Sequence, residues 1–104
     1  MARGEDEPFY SMDEIRELIE SEKVRFRKKA LDDALEHFDY DGEEILAELL
    51  RLREKDWHKT INGAHLEITF DVYKPSLGGR KAYIKFGIDD ETGCLLLVAS
   101  FKER

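Results

Sequence analysis

The stretch DVYKPSLGGRKAYIKF, residues 71–86, reads as two strands joined by a loop. Val72 closes an alternating run, the segment from Lys74 through Pro75 to Gly78-Gly79 breaks it, and a second alternation begins at Lys81. Along that second run Ala82, Ile84, Phe86 and Ile88 fall on one face, and Lys81, Tyr83 and Lys85 fall on the other. Such a strand turns one side to a core and the other to water. A charged outer face is the ordinary state of an antiparallel sheet, so the Lys-Tyr-Lys row by itself marks no site.

Working outward, His65 to Tyr73 alternates with Leu66, Ile68, Phe70 and Val72 on one face, and Asn62-Gly63 before it is a two-residue hairpin signal. Trp57 to Ile61 supplies a further strand. After the turn at 89–93, the run CLLLVASF leading to Lys102 is apolar on both faces, as in an interior strand covered on both sides. Upstream the period changes to that of helices. Ser11 and Glu14 form a capping box, with Tyr10 and Ile15 at the staple positions, opening a helix over 12–22 whose stripe is Met12, Ile15, Leu18 and Ile19. Lys23 to Phe26 alternates like a short, charged edge strand. Ala30, Leu31, Ala34, Leu35 and Phe38 mark a second helix, and a third runs from Gly42 to about Lys55, capped by Asp41 and Glu44. Helices first and antiparallel strands after predict an α+β fold, with N-terminal helices packed on one face of a three- or four-stranded antiparallel sheet. Residues 1–104 form a single domain in which 1–10 is expected to fray.

The net charge of −7 disfavours nucleic acid as a partner, but it is unevenly spread. Residues 1–56 hold 10 Lys/Arg against 18 Asp/Glu, whereas residues 57–104 hold 7 against 6. Within the acidic half, Arg25, Arg27, Lys28 and Lys29 cluster at the start of the second helix, where cations are slightly unfavourable, which admits a phosphate-contact role beside that of a solvated face. The single cysteine, Cys94, cannot form an internal disulfide; its apolar setting predicts a buried structural thiol and fits a reducing cytoplasm. No apolar run has membrane-spanning length.

His37, His58 and His65 are not at ligand spacing with one another, Asp39-Tyr40-Asp41-Gly42 fails the calcium-loop pattern, and Gly78-Gly79 lacks the strand-to-helix setting of a phosphate loop. No metal or cofactor is therefore called for. What remains is a set of lysines and tyrosines, with His58, near strand ends. These suit metal-free RNA cleavage through the 2′-hydroxyl of the substrate, which needs a base, a cation for the developing phosphate charge and an acid for the leaving oxygen. On composition this is one possibility among several.

The order of segments carries a resemblance. A helix, a Val24-Arg25-Phe26 strand, the ALDDAL helix, Asp39-Tyr40-Asp41-Gly42, Asp56-Trp57-His58-Lys59, Asp71-Val72-Tyr73-Lys74-Pro75, Ala82-Tyr83-Ile84-Lys85 and a closing Ser100-Phe101-Lys102-Glu103-Arg104 resemble the MqsR family of toxins from bacterial toxin–antitoxin pairs, from about Met12 to the C-terminus. The resemblance implies a RelE-like fold, a cytoplasmic endoribonuclease that cleaves mRNA with sequence preference, and neutralisation by a cognate helix-turn-helix antitoxin. Family active-site positions fall on Lys59, Tyr83 and Lys102. With His58 they form the expected catalytic set, in which Tyr83 or His58 moves protons and Lys59 and Lys102 stabilise the phosphate; Arg80, Lys81 and Lys85 are expected to hold the RNA backbone. Phe70 stands where the family has a glutamine. It cannot hydrogen-bond a base edge, though it can stack on one. Phe70 and the acidity favour an alternative, a non-catalytic relative acting as a binding partner in a regulatory complex.

Overall fold

The protein was analysed as a computed structural model, which describes residues 7–62, 68–91 and 94–104. Helix α1 spans Met12–Glu20 behind the expected capping box, in which Ser11 Oγ accepts the N–H of Glu14 and the Glu14 carboxylate accepts that of Ser11. It stops short of residue 22, because Glu22 takes a left-handed backbone, φ 59°, and the chain turns into strand β1, Val24–Phe26. Helix α2 is Lys28–Phe38, ended by a left-handed Asp39. Helix α3 is Gly42–Leu49, again opened by a capping box, here Asp41 with Glu44.

The third helix is shorter than expected. Leu50 and Leu52 continue the apolar period beyond Leu49, but by Arg53 the backbone is extended, and a single 3₁₀ turn at Glu54–Asp56 precedes the next strand. Leu52 still reaches the core from outside the helix. Strand β2 is Trp57–Asn62 and β3 is Thr69–Tyr73. The expected hairpin turn after Asn62 and the start of the strand from His65 lie outside the described residues. The loop expected at 74–79 holds a short strand β4, Ser76–Leu77, which folds onto β5, Arg80–Asp89, through Gly78 and Gly79. Both glycines have positive φ, as a two-residue hairpin turn of the primed type demands. Strand β6 is Leu95–Glu103.

The fold is α+β, and its sheet is larger than expected and mixed. The order is β1-β6-β5-β3-β2, with β4 paired to β5 off this path. The antiparallel expectation fails at one edge, where β1 pairs parallel to β6. The charged Val24–Phe26 segment is short enough to close that edge without inviting another strand. The interior position expected for the last strand is the one observed.

Two clusters form the interior. The larger joins Ile15 of α1, Ala30 and Ala34 of α2, and Ile45 and Leu49 of α3 to Tyr73, Ala82, Ile84, Phe86, Leu96, Val98 and Phe101 of the sheet. The smaller holds Ile68, Phe70, Leu97 and Ala99, with Ile61 packed against it. Strands whose alternate residues enter two different clusters explain why CLLLVASF is apolar on both faces.

Asp71 is fully buried among these strands and is nevertheless satisfied. Its carboxylate accepts the backbone N–H groups of Phe9 and Tyr10, the indole N–H of Trp57 and the hydroxyl of Thr60, at 2.6 to 3.3 Å. The stretch expected to fray is thus pinned at its last two residues, and the Tyr10 side chain is buried. Cys94 corrects another expectation. It is exposed, with a left-handed backbone, and its thiol donates to Asp90, which raises its pKa. Among the described residues no helix is long and apolar enough to cross a membrane.

Candidate active site

Two irregularities in the sheet decide which side chains share a face. Between β5 and β6 the register passes from Phe86↔Val98 to Lys85↔Ser100, so Ala99 is an extra residue in β6. Before it, Leu96 and Val98 join the larger cluster; after it, Phe101 does. Unbroken alternation would have sent Phe101 to the opposite face and Lys102 into the core. The bulge puts Lys102 beside Tyr83 instead. Likewise, in β2 the pairing goes from Trp57↔Tyr73 to Lys59↔Val72, which makes His58 the extra residue. Trp57 therefore packs with the larger cluster, while Lys59 faces the same way as Val72.

The registers then align a row across four strands, Lys59–Val72–Lys85–Ser100. One step along lies the pair Tyr83–Lys102, with the Lys102 ammonium 5.3 Å from the centre of the Tyr83 ring. On the other side lies the row Ile61–Phe70–Gly87–Leu97. Gly87 is required here, because a Cβ would collide with the backbone oxygen of Thr69 and sit 3.1 Å from the Phe70 ring. That ring occupies the space above the glycine. It carries the Lys85 ammonium at 5.3 Å from its centre and the Arg27 guanidinium at 5.5 Å. Each such contact is worth about 0.5–1 kcal/mol where water has access.

Lys85 is the centre of this arrangement. Partial burial first, then the charges of Arg27, Lys102 and Lys59, hold its pKa below the usual lysine range. At the end of the site His58 is exposed, and its pKa is also lowered, by desolvation and then by Lys74, Lys59 and Arg104. No carboxylate enters either set of neighbours. Among the described residues, Arg27, Lys59, Lys85 and Lys102 have no carboxylate within ion-pair distance, although the chain carries 24 acidic residues against 17 basic ones.

Of the residues singled out from sequence, Lys59, Tyr83, Lys85 and Lys102 come together, and His58 stands at the rim beside Lys59. Arg80 does not join them. It alternates with Ala82 and Ile84, lies 4.8 Å over the Phe38 ring and pairs with Glu103 at 3.0 Å. Lys81 is exposed one pair beyond Tyr83, where its carbonyl accepts the N–H of Arg104. Phe70 is only 3 % exposed, which leaves little ring for a base to stack on. Arg27 stood out in the sequence only as one member of a basic run. Its place is set by its own backbone N–H, which donates to Val98 and extends the β1–β6 ladder by one bond.

Elsewhere, Asp33, Glu36 and His37 bring ligand atoms within 4.8 Å of one another, the kind of group that can hold a metal ion. Two of the three are already engaged: Lys29 bonds the Asp33 carboxylate, and His37 Nδ1 accepts the N–H of Glu103.

No curated protein matches the chain. A scan of protein-family models matches residues 7–103 to the family described as motility quorum-sensing regulator, toxin of MqsA. That span takes in both bulges, the row of lysines and the Tyr83–Lys102 pair, and on its extent the chain belongs to the MqsR toxin family.

Proposed function

We propose that the protein is the toxin of a toxin–antitoxin pair and acts as an endoribonuclease on mRNA, cutting by attack of the substrate 2′-hydroxyl without a metal ion. The observation that carries this is the group of four neighbouring cations with no carboxylate partner among the described residues of an acidic chain, beside a tyrosine and a histidine able to move protons. Clustered like charges cost free energy, and a polyanion offsets that cost.

In the cleavage step a base removes the 2′-hydroxyl proton, the oxygen attacks phosphorus, and the bond to the 5′ oxygen breaks as that oxygen takes a proton. The products are a 2′,3′-cyclic phosphate and a 5′-hydroxyl. His58, whose affinity for a proton is lowered by desolvation and by the cations around it, suits the base. Tyr83 suits the acid, with Lys102 against its ring. The two belong to β2 and β5, separated by β3 and so by about 10 Å between strand axes. In-line displacement places the attacking and leaving oxygens on opposite sides of phosphorus, and Lys59, Lys85 and Lys102 lie where the phosphate between them would gain charge. The matched family, described as the toxin of MqsA, supports an antitoxin partner; that this partner neutralises the toxin and carries a helix-turn-helix part is the rest of the proposal.

Purified protein incubated with mRNA should cleave it equally with and without EDTA. Tyr83→Phe and Lys102→Ala should each lower the rate by about 100-fold or more. Cleavage abolished by EDTA overturns the metal-free mechanism, and cleavage unaffected by either substitution overturns the site. A wild type that binds RNA but never cuts it supports the non-catalytic regulatory partner.

A further inference from the structure

We propose that Arg27, Phe70 and Lys85 form a second phosphate subsite, so that the substrate is a polynucleotide held by at least two consecutive phosphodiesters. The inference rests on the nucleic-acid reading of the site and extends it to Arg27, which the sequence offered as a phosphate contact only as one member of a basic run.

The neighbours of Arg27 are the first argument. Arg25 pairs with Asp89 at 3.6 Å, Lys28 with Asp32 at 2.7 Å and Lys29 with Asp33 at 3.0 Å. Among the described residues only Arg27 of this basic run has no carboxylate, and it lies over the Phe70 ring instead. An arginine on an aromatic ring keeps its N–H fork open at the edge, in the plane that a phosphate uses for a two-point hydrogen bond.

The second argument is what the ring does. Phe70 is nearly buried, fixed by Ile68, Leu97 and Ala99, and given room by Gly87. It carries two cations from different elements, Arg27 from the β1–α2 junction and Lys85 from β5, and after partial burial the charge of Arg27 lowers the affinity of Lys85 for its proton, a repulsion that an anion between the two would relieve. A glutamine here would offer no platform for either. The position that departs from the family pattern thus replaces a polar contact with a held pair of charges.

The third argument is spacing. The Phe70–Gly87 row lies two residues along the strands from the Val72–Lys85 row, about 7 Å. Along the strands Lys85 stands between the Tyr83–Lys102 pair on one side and the Phe70–Gly87 row, with Arg27 over its ring, on the other, and Lys59 lies two strands away in the row of Lys85 itself. A phosphate over Arg27 and Lys85 would therefore neighbour one held at Lys102 beside Tyr83.

The test compares affinities of non-cleavable 2′-O-methyl RNA oligomers by fluorescence anisotropy, a dinucleotide with one phosphodiester against a trinucleotide with two. The wild type should bind the trinucleotide about tenfold more tightly. In Arg27→Ala that ratio should fall to near one, and in Arg27→Lys, which keeps the charge and loses the fork, it should be intermediate. Phe70→Gln should lower it as well, with thermal unfolding followed alongside. Arg25→Ala removes the same charge two residues away, in β1, and should keep the wild-type ratio. An unchanged ratio in Arg27→Ala, or an equal fall in Arg25→Ala, overturns the subsite. Because the oligomers cannot be cut, a wild type that fails to cleave mRNA but shows the Arg27-dependent ratio refutes the ribonuclease reading alone.

Discussion

His58 and Lys85 show how the same surroundings act on two kinds of cation. Each loses affinity for its proton because water is partly excluded and because neighbouring charges are all positive. For a histidine below its ordinary value of 6.5, the neutral form persists to more acidic pH, which is what a base at neutral pH requires. The sign follows: cleavage should hold as pH falls from 7.5 to 6.5 and decline below that, as His58 takes up a proton. A pH–rate profile should show this acidic limb, and His58→Gln should lower the plateau and remove the limb. A limb that persists in His58→Gln would assign the base to another group. Tyr73 is different. Burial, and then Asp71, push its pKa far above the usual phenol range, and it stacks on Phe86 at 5.5 Å, a packing role within the core.

At the scale of elements, the strands are held in place by one carboxylate. Asp71 ties β2 to β3 through Trp57 and Thr60, and both to the chain entering α1 through Phe9 and Tyr10. Asp71→Ala would leave four donors without their acceptor, and denaturant unfolding should show a loss of about 3–5 kcal/mol. A loss below 1 kcal/mol would mean that water replaces the carboxylate easily. Such long-range bonds are invisible to period and propensity, which is why Phe9 and Tyr10 read as a fraying end while α1, capped by its own neighbours, was legible almost to the residue. The strands were legible where apolar residues alternate. The mixed sheet was not, because three residues of β1 carry no sign of whether they pair parallel or antiparallel. Of the candidate site residues, Lys59, Tyr83 and Lys102 came from the resemblance and Lys85 from alternation. Arg80 was misplaced because a basic residue next to the row looks like part of it, although alternation already put it with Ala82. Arg27 could not be told from the rest of its basic run, because what sets it apart is a contact with an aromatic ring 43 positions away.

Across the whole molecule, charge is divided between elements. The acidic residues belong mainly to the helical half, and Arg27, Lys59, Lys85 and Lys102 lie near one another around the sheet. A protein with a pI near 5.0 can in this way present a local positive surface while its bulk repels nucleic acid. Binding of single-stranded RNA should consequently be steeply salt-dependent. With four cations each displacing a counterion, log K should fall with log salt at a slope of about −3. A titration from 50 to 300 mM salt that gives a slope near zero would show that these cations do not meet phosphate.

The extra residue at Ala99 also makes the gene intolerant of one particular kind of change. Loss of a single codon between Val98 and Phe101 would remove the bulge and restore regular pleating, with Phe101 still on the core side and Lys102 still beside Tyr83. Loss of two codons would leave a regular strand one residue short and exchange Phe101 for Lys102 on the core side. The ammonium would enter the core and the ring would enter solvent, so activity and stability would fail in one event. Along this strand, insertions and deletions are therefore filtered by whether their length is odd or even, and the count of residues is as much a part of the site as their identity.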